Sequence, residues 1–206
     1  MTNRQDIPDI IIGRLPVYLR ALQHMAGQGR QTISSRELGE VLSMSPAQIR
    51  KDLSQFGGFG KQGTGYSIPF LIDKLREILR VQEVRDVVVV GMGDMGHALA
   101  RYDGFRDRGF RVAMVFDKDT GKTGQKAGDF NIRDTRDLVR DVRASGIELA
   151  MLCVPASEAQ AVADQLVKAG VKAILNYAPI SITVPEGVRI QYLDPSIGLQ
   201  RMAYYL

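Results

Sequence analysis

The 206-residue chain has few of the side chains that disulfides, metal centres and acid–base catalysis require, with one cysteine and two histidines. A single cysteine, Cys153, excludes an intrachain disulfide and a multi-cysteine metal site, and its apolar sequence neighbours indicate a buried, inert thiol. No apolar stretch reaches the roughly eighteen residues of a membrane span, and the first residues lack the apolar core of a secretion signal. We therefore expect a cytoplasmic protein with no metal and no membrane contact.

The positive charge of the chain is confined to its first part. Residues 1–80 carry eleven Lys and Arg against seven Asp and Glu, whereas residues 81–206 carry sixteen of each. The sign of this excess suits a polyanionic partner, but an excess of this size does not identify one by itself.

Residues 1–81 have the pattern of a winged helix-turn-helix. Apolar residues at helical spacing predict a first helix that ends near Gly27. A capping box that begins at Ser34 opens a second helix, and Ser45, followed by proline, opens a third after a tight turn. Alternating glycine and aromatic residues in Phe56–Tyr66 predict a β-hairpin, the wing of the module.

The third helix combines an apolar face with a polar and basic one. At about 100° per residue, Ile49, Leu53 and Phe56 form a single apolar stripe. Amide side chains on the other face can read base edges, and cations can bind phosphates and guanines. An ordinary solvated surface is the alternative for this helix. With the N-cap and the wing lysine, the candidate DNA contacts are Ser45, Ala47, Gln48, Arg50, Lys51, Ser54, Gln55 and Lys61.

A glycine-rich turn directly follows the apolar run Val87–Val90, and Asp117 ends the next apolar run. This is the spacing of a dinucleotide-binding strand, turn and helix. The first glycine suits the tight turn, the second the close approach of a pyrophosphate, and the third the packing of helix on strand, while the helix N-terminus offers amide donors. The candidate cofactor residues of the turn are Gly91, Met92, Gly93, Asp94, Met95 and Gly96.

The acidic residue after the second strand predicts the type of dinucleotide. Asp117 can accept a hydrogen bond from a ribose 2′-hydroxyl and would repel a 2′-phosphate, which favours NAD over NADP, whereas the neighbouring Lys118 would soften that discrimination. Two segments leave the carboxyl ends of later strands, where ligands gather, although plain turns are the alternative. Their candidate cofactor residues are Val154, Pro155, Asn176 and Tyr177.

The nucleotide-binding half lacks an evident proton donor for hydride transfer. The histidines, His24 and His97, lie in the first helix and beside the glycine-rich turn, and neither sits at a strand end facing a nicotinamide. We therefore expect no catalytic residue. The bound cofactor would then act as a signal.

The alternation of strands and helices from Asp86 onward predicts an α/β fold with a mostly parallel, doubly wound Rossmann-type sheet. One of its helices is expected to run from Met95 to Arg106. The predicted domains are a winged helix over residues 1–81, a Rossmann NAD(H)-binding domain over residues 82–194 and a C-terminal helix over residues 195–206.

Together these motifs resemble the Rex family of bacterial redox-sensing transcriptional repressors. The matching segments are Arg50–Ser54, Phe56–Tyr66, Gly91–Gly96, Asp117 and the short helix after Asp194. The resemblance implies a homodimer that senses the NADH/NAD+ ratio: it binds a double-stranded, inverted-repeat operator when NADH is scarce and releases it when NADH binds. It also implies that the C-terminal helix is exchanged between the subunits.

The same resemblance implies a switch between the domains. It uses an arginine of the first helix, a tyrosine of the first Rossmann helix and an aspartate before the tail helix, and the matching positions are Arg14, Tyr102 and Asp194. The hypothesis is that Asp194 exchanges a hydrogen bond with Tyr102 for an ion pair with Arg14.

Three other interpretations stay open. The first is an NAD-dependent oxidoreductase with an N-terminal interaction domain. The second is a regulator that senses another adenine nucleotide or coenzyme A, since binding domains for these ligands share the Rossmann pattern. The third is a scaffold that does not contact DNA.

Overall fold

Two units, Met1–Glu83 and Val84–Leu206, make up the chain in a computed structural model that describes residues 7–59 and 65–206. The boundary between them lies two residues beyond the end of the predicted winged helix. The C-terminal helix groups with the second unit.

The first unit consists mainly of helices. The predicted first helix is interrupted after Ile12, and a new helix begins at Leu15. The reason is Pro16, which has no backbone N–H and is tolerated in a first turn but not inside a helix. The helices of this unit are α1 (Asp9–Ile12), α2 (Leu15–Gly27), α3 (Ser35–Leu42), α4 (Pro46–Ser54) and α5 (Ile68–Leu79).

The turn between α3 and α4 is fixed by caps and by one glycine. The Ser34 hydroxyl accepts from the Glu37 N–H at 3.1 Å, and the Glu37 carboxylate accepts from the Ser34 N–H at 2.8 Å, so the predicted capping box is formed. The Ser45 hydroxyl accepts from the Gln48 N–H at 3.1 Å. A Cβ on Gly39 would lie 2.5 Å from the carbonyl oxygen of Met44. The turn therefore packs directly on α3, which is the geometry of a helix-turn-helix.

In the described residues, the two flanks of the predicted wing hairpin do not pair with each other. Strand β1 (Thr32–Ile33) pairs antiparallel with β2 (Tyr66–Ser67), whereas Gly57–Phe59 carry no strand. Phe59 is instead buried, and a glycine-rich segment offers few side chains for cross-strand pairs. Residues 60–64, with the predicted DNA contact Lys61, lie outside the described residues.

A six-stranded parallel sheet with helices forms the second unit. The strand order is β10–β9–β8–β3–β4–β7. The chain therefore runs outward from β3 through β4 to the edge at β7, then crosses to the other side of β3 and continues through β8 and β9 to β10. The strands are β3 (Arg85–Val90), β4 (Phe110–Asp117), β7 (Arg133–Asp134), β8 (Leu149–Leu152), β9 (Ala173–Asn176) and β10 (Arg189–Tyr192), and a small hairpin pairs β5 (Lys126–Ala127) with β6 (Phe130–Asn131).

Apolar residues of the central strand β3 are buried on both faces of the sheet. Val88 and Val90 belong to the core beneath α7 and α8, and Val87 and Val89 belong to the opposite core, beside Ala100 of α6. A strand covered on both sides needs no polar alternation, which explains the unbroken valine run. The helices of this unit are α6 (Asp94–Ala100), α7 (Leu138–Ser145), α8 (Ala156–Ala169) and α9 (Pro195–Ala203).

The predicted helix from Met95 to Arg106 is too long. Helix α6 ends at Ala100, and a separate 3₁₀ helix covers Asp103–Arg108, so Tyr102 lies between the two. Asp103 and Gly104 are weak helix formers, which accounts for the early end. No helix within the described residues has the length and apolar character that crossing a membrane would need.

Candidate functional site

The glycine-rich turn leaves the carboxyl end of β3, at the point where the strand order reverses. Gly91 has a φ of +97°, and a Cβ there would lie 2.4 Å from the carbonyl oxygen of Cys153. A Cβ on Gly96 would lie 1.9 Å from the carbonyl oxygen of Gly91, so α6 packs directly on the turn. A Cβ on Gly93 meets nothing within 4 Å. The middle glycine therefore faces open space that a ligand can fill.

A groove of about 540 Å³ lies beside this turn. Its size is within the range of small-molecule and cofactor sites. Six predicted cofactor residues line it: Gly91, Gly93, Asp117, Lys118, Val154 and Pro155. Further lining residues were not anticipated from the sequence: Asp119, Lys122, Thr135, Cys153, Glu158, Ala161, Val162 and Gln165.

The remaining predicted cofactor residues are not among those that line the groove. Met92 is buried in the core beside Val89, and Gly96 is buried under the turn. Asp94 and Met95 are exposed on the first turn of α6. These positions shape the turn, and their direct contact with a cofactor stays a prediction.

Asp117 ties the end of β4 to the glycine-rich turn. The residue is only 7% exposed, and its carboxylate accepts hydrogen bonds from the Met92 N–H at 2.7 Å, the Asp119 N–H at 2.8 Å and Lys122 Nζ at 3.2 Å. Burial raises the pKa of Asp117, but these donors outweigh burial and hold the pKa below its usual value. A carboxylate has about four acceptor positions, so one more donor, such as a ribose hydroxyl, can be accommodated.

Two lysines flank the acid and give this end of the groove a mixed charge. Lys118 pairs with Glu158 of α8 at 2.9 Å between Nζ and Oε1. Lys122, besides its contact with Asp117, donates to the carbonyl oxygen of Met92 at 3.2 Å. In the sequence, Lys122 is a cation five residues after Asp117, but this spacing alone does not predict that the two side chains are in contact.

The amide of Asn176, at the end of β9, is used within its own loop. Its Oδ1 accepts from the Ala178 N–H at 2.9 Å, and its Nδ2 donates to the carbonyl oxygens of Ala178 at 3.2 Å and Ile180 at 3.0 Å. Asn176 thus shapes this loop. Tyr177 follows it, half-buried, and burial raises the pKa of its hydroxyl.

Cys153 was expected to be buried and inert; it is half-buried and lines the groove. It follows β8, where the chain turns into the groove wall beside Gly91. Burial raises the pKa of the thiol to about 12, so the thiolate is scarce near neutral pH. The raised pKa therefore explains the expected low reactivity of the thiol, even though the side chain is partly exposed.

Helix α4 presents the polar and basic face that the sequence predicts. Ile49 and Leu53 are buried. The Arg50 guanidinium donates to the Ser35 hydroxyl at 3.0 Å, and the Ser54 hydroxyl donates to the Lys51 carbonyl oxygen at 2.8 Å. Exposed candidate DNA contacts are Ser45, Ala47, Arg50, Lys51 and Ser54, and the partly exposed ones are Gln48 and Gln55.

A buried carboxylate behind this face was not anticipated. Asp52 is fully buried and accepts from Arg14 Nε at 2.6 Å, Arg14 Nη2 at 2.8 Å, the Tyr18 hydroxyl at 2.5 Å and Gln48 Nε2 at 2.7 Å. Burial raises the pKa of Asp52, but these donors outweigh burial and hold it below its usual value. Burial and the hydrogen bond to Asp52 raise the pKa of Tyr18 far above its usual value. The sequence pattern does indicate burial at this position, because residue 52 lies on the apolar stripe of α4 between Ile49 and Phe56.

The three residues of the expected switch each have partners within their own unit. Arg14 binds Asp52. The Tyr102 hydroxyl accepts from Arg108 Nη1 at 2.7 Å, and its ring meets that of Phe105 edge-on at 5.0 Å. Asp194 caps α9 by accepting from the Ser196 N–H at 2.8 Å, and hydrogen bonding to Ser196 lowers the pKa of Asp194. The exchange between them stays a hypothesis.

A Rossmann-type domain with a ligand groove and a helix-turn-helix with a basic outer face define a ligand-responsive DNA-binding regulator. Family models agree with both halves. Residues 6–54 match a putative DNA-binding protein N-terminus, and residues 82–180 match a CoA binding domain. Within residues 7–59 and 65–206, no three His, Cys, Asp or Glu side chains are placed to hold a metal ion.

Similar proteins identify the family. The chain is 48% identical over 206 residues to the redox-sensing transcriptional repressor Rex of Chloroflexus aggregans, covering 100% of this chain and 97% of that one. A crystal structure of RSP in complex with beta-NAD+ and operator DNA matches with a TM-score of 0.92 and 36% identity, covering 97% and 92% of the two chains. RSP in complex with beta-NADH matches with a TM-score of 0.88 and 32% identity, covering 97% and 94%.

The chain therefore belongs to the Rex family of redox-sensing transcriptional repressors. This membership confirms the resemblance drawn from the motifs and the predicted fold class. It also agrees with the prediction that the protein is a transcriptional regulator and not an enzyme.

Proposed function

We propose that this protein represses transcription by binding operator DNA through α4 and that the groove beside Gly91–Gly96 senses the ratio of NADH to NAD+. The observation that carries the proposal is the presence, in one chain, of a glycine-lined groove at the reversal of strand order and an exposed basic helix-turn-helix face. Relatives of similar fold have been solved with beta-NAD+ and operator DNA and with beta-NADH. As a repressor of transcription, the protein would work in the cytoplasm.

The groove suits a dinucleotide without a 2′-phosphate. Asp117 is held ionised by its donors and keeps an acceptor position for a ribose hydroxyl. A 2′-phosphate brought to this carboxylate would meet like charge, although Lys118 and Lys122 offset part of the repulsion. We therefore assign the adenosine ribose to the Asp117 end of the groove and the pyrophosphate to the open space over Gly93.

The C-terminal tail suits a homodimer. Residues 195–206 expose many large apolar side chains on a short segment, an arrangement that marks an interaction surface. A second copy of this chain is the occupant we propose, because two copies give the two-fold symmetry that an inverted-repeat operator requires. The exposed residues of this segment are Ile197, Leu199, Met202, Tyr204, Tyr205 and Leu206.

Release of DNA requires that NADH bind one arrangement of the dimer better than the other. We propose that this difference reaches the DNA-binding unit when Asp194 takes Arg14 as its partner. Two DNA-binding helices must match half-sites about one helical turn apart, so a change in dimer closure is enough to weaken binding.

The test is a titration of a fluorescently labelled inverted-repeat operator with the full-length protein in the presence of NAD+, NADH or coenzyme A. The expected result is binding with NAD+, release by NADH and no effect of coenzyme A. The match of residues 82–180 to a CoA binding domain makes coenzyme A a necessary arm. Release by coenzyme A but not by NADH would refute the proposed ligand, and turnover of an aldehyde or hydroxy acid would favour the oxidoreductase.

A further inference from the structure

The cofactor groove contains an ion pair between Lys118 and Glu158 that comes from two different elements of the second unit. We propose that Glu158 is a specificity-determining residue, which binds Lys118 and so keeps this cation from accepting the 2′-phosphate of NADP(H). This inference rests on the proposed NADH-sensing function and deepens it by naming the residue that restricts the groove to NAD(H).

The two side chains meet inside the groove, next to the acid that is assigned to the ribose. Lys118 directly follows Asp117, the last residue of β4, and Glu158 lies in the first turn of α8. Lys118 Nζ lies 2.9 Å from Glu158 Oε1, and both residues line the groove. A carboxylate is favoured in the first turn of a helix, so Glu158 provides a fixed partner for a lysine in a loop.

Only the adenosine ribose distinguishes NADPH from NADH, because the two carry the same reduced nicotinamide. A sensor of NADH must therefore reject the 2′-phosphate at the Asp117 end of the groove. Specificity is a difference between two affinities, so removing an attraction for NADPH is as effective as adding one for NADH. Binding Lys118 within the protein removes such an attraction.

The charged side chains that line the groove support this rejection. They include three carboxylates, Asp117, Asp119 and Glu158, and two lysines, Lys118 and Lys122. Lys122 Nζ donates to the Asp117 carboxylate at 3.2 Å, just as Lys118 is paired with Glu158. Each lysine thus has a carboxylate partner, and a 2′-phosphate would meet more negative than positive charge.

The test compares the affinities of the full-length protein for NADH and NADPH, measured without DNA by nicotinamide fluorescence. Glu158→Gln removes one negative charge and leaves Lys118 available to the phosphate. We expect the affinity for NADPH to rise about fivefold, while the affinity for NADH, which has no 2′-phosphate, stays within about twofold. A folding defect would weaken both, so a selective gain for NADPH is not a structural artefact.

The substitution should not endanger the fold. The side chains of Lys118 and Glu158 are 65% and 36% exposed, and an ion pair with this exposure contributes little to stability. Urea unfolding of Glu158→Gln should therefore match that of the wild type.

A double-mutant cycle separates the release of Lys118 from the loss of one charge alone. In the wild-type background, where Glu158 binds the lysine, Lys118→Ala should cost little affinity for NADPH. In the Glu158→Gln background, Lys118→Ala should remove most of the gain. Equal effects of Lys118→Ala in the two backgrounds would show that Glu158 does not withhold the lysine, and would overturn the proposal.

The matched control is Glu148→Gln. Glu148 pairs with Lys172 in the same unit, so this substitution makes the same change of charge and also breaks a pair between a lysine and a carboxylate. Glu148 precedes β8 at the amino end of the strand, whereas the groove lies at the carboxyl ends of the strands. Neither the NADH nor the NADPH affinity should change.

An unchanged preference for NADH over NADPH in Glu158→Gln would overturn the proposal, as would an equal gain for NADPH in Glu148→Gln. Failure of the wild-type protein to bind NADH would instead overturn the proposed function, so the two failures are distinguishable. The consequence for regulation is measured with labelled operator. NADPH should release the operator from Glu158→Gln at a lower concentration than from the wild type, and equal concentrations would contradict the role of Glu158.

Discussion

Replacing Gly93 with alanine separates the cofactor site from the folding of the domain. The backbone at Gly93 has a φ of −80°, which alanine adopts without strain, and a Cβ there meets no atom within 4 Å. The free energy of unfolding should therefore stay within about 1 kcal/mol of the wild-type value. The added methyl group occupies the space assigned to the pyrophosphate.

The expected loss of affinity follows from the phosphate contacts. A hydrogen bond to a charged group contributes about 1.5–3 kcal/mol, so displacing even one phosphate contact should weaken NADH binding at least about tenfold. Calorimetric titration with NADH gives the affinity, and urea unfolding gives the stability. Wild-type affinity in a folded Gly93→Ala protein would show that the pyrophosphate does not lie over this residue.

Two other glycines provide the controls. A Cβ on Gly27, at the end of α2, also meets nothing within 4 Å, so Gly27→Ala should preserve both stability and NADH binding. A Cβ on Gly96 would lie 1.9 Å from the carbonyl oxygen of Gly91. Gly96→Ala should therefore destabilise the second unit by about 1–3 kcal/mol and weaken NADH binding at the same time.

Further predictions concern DNA, pH and assembly. Lys51→Ala should weaken operator binding and reduce the salt dependence of binding by about one counterion, measured by fluorescence anisotropy at several salt concentrations; an unchanged slope would place α4 on an ordinary surface. Because its donors lower the pKa of Asp117 despite burial, the stability it contributes is complete above about pH 4 and is lost as the pH falls through the lowered pKa. Asp117→Asn should therefore flatten the acid-induced loss of stability, followed by circular dichroism, and an unaltered pH profile would contradict this. Deleting residues 195–206 should yield a monomer by light scattering with weak operator affinity, whereas a dimer would show that another surface pairs the subunits.

The features that the sequence predicted well depend on residues close together in the chain. The Val87–Val90 run, the Gly91–Gly96 turn and the capping box at Ser34 are each specified within about ten residues, and periodicity and turn chemistry act at that range. The end of α6 at Ala100 was missed because propensity at Asp103 and Gly104 is a weak signal beside a continuing apolar pattern.

The features that the sequence did not predict depend on contacts across the chain. The buried carboxylate of Asp52 accepts hydrogen bonds from Arg14 and Tyr18, which lie 38 and 34 residues away in the sequence. The buried carboxylate of Asp117 accepts one from the backbone N–H of Met92, 25 residues away. Helical periodicity places Asp52 on an apolar face, but it does not identify the donors that would hydrogen-bond to the carboxylate there. The partners of a buried charge become evident only once the fold brings them together.

The most direct test of the proposed function is operator binding by the full-length protein at a fixed total concentration of NADH and NAD+, with their ratio varied. We predict full binding when NAD+ predominates and a fall in the bound fraction as the proportion of NADH rises. Asp194→Ala, tested in parallel, should bind the operator but fail to release it. Operator occupancy that does not change with the ratio would contradict the account.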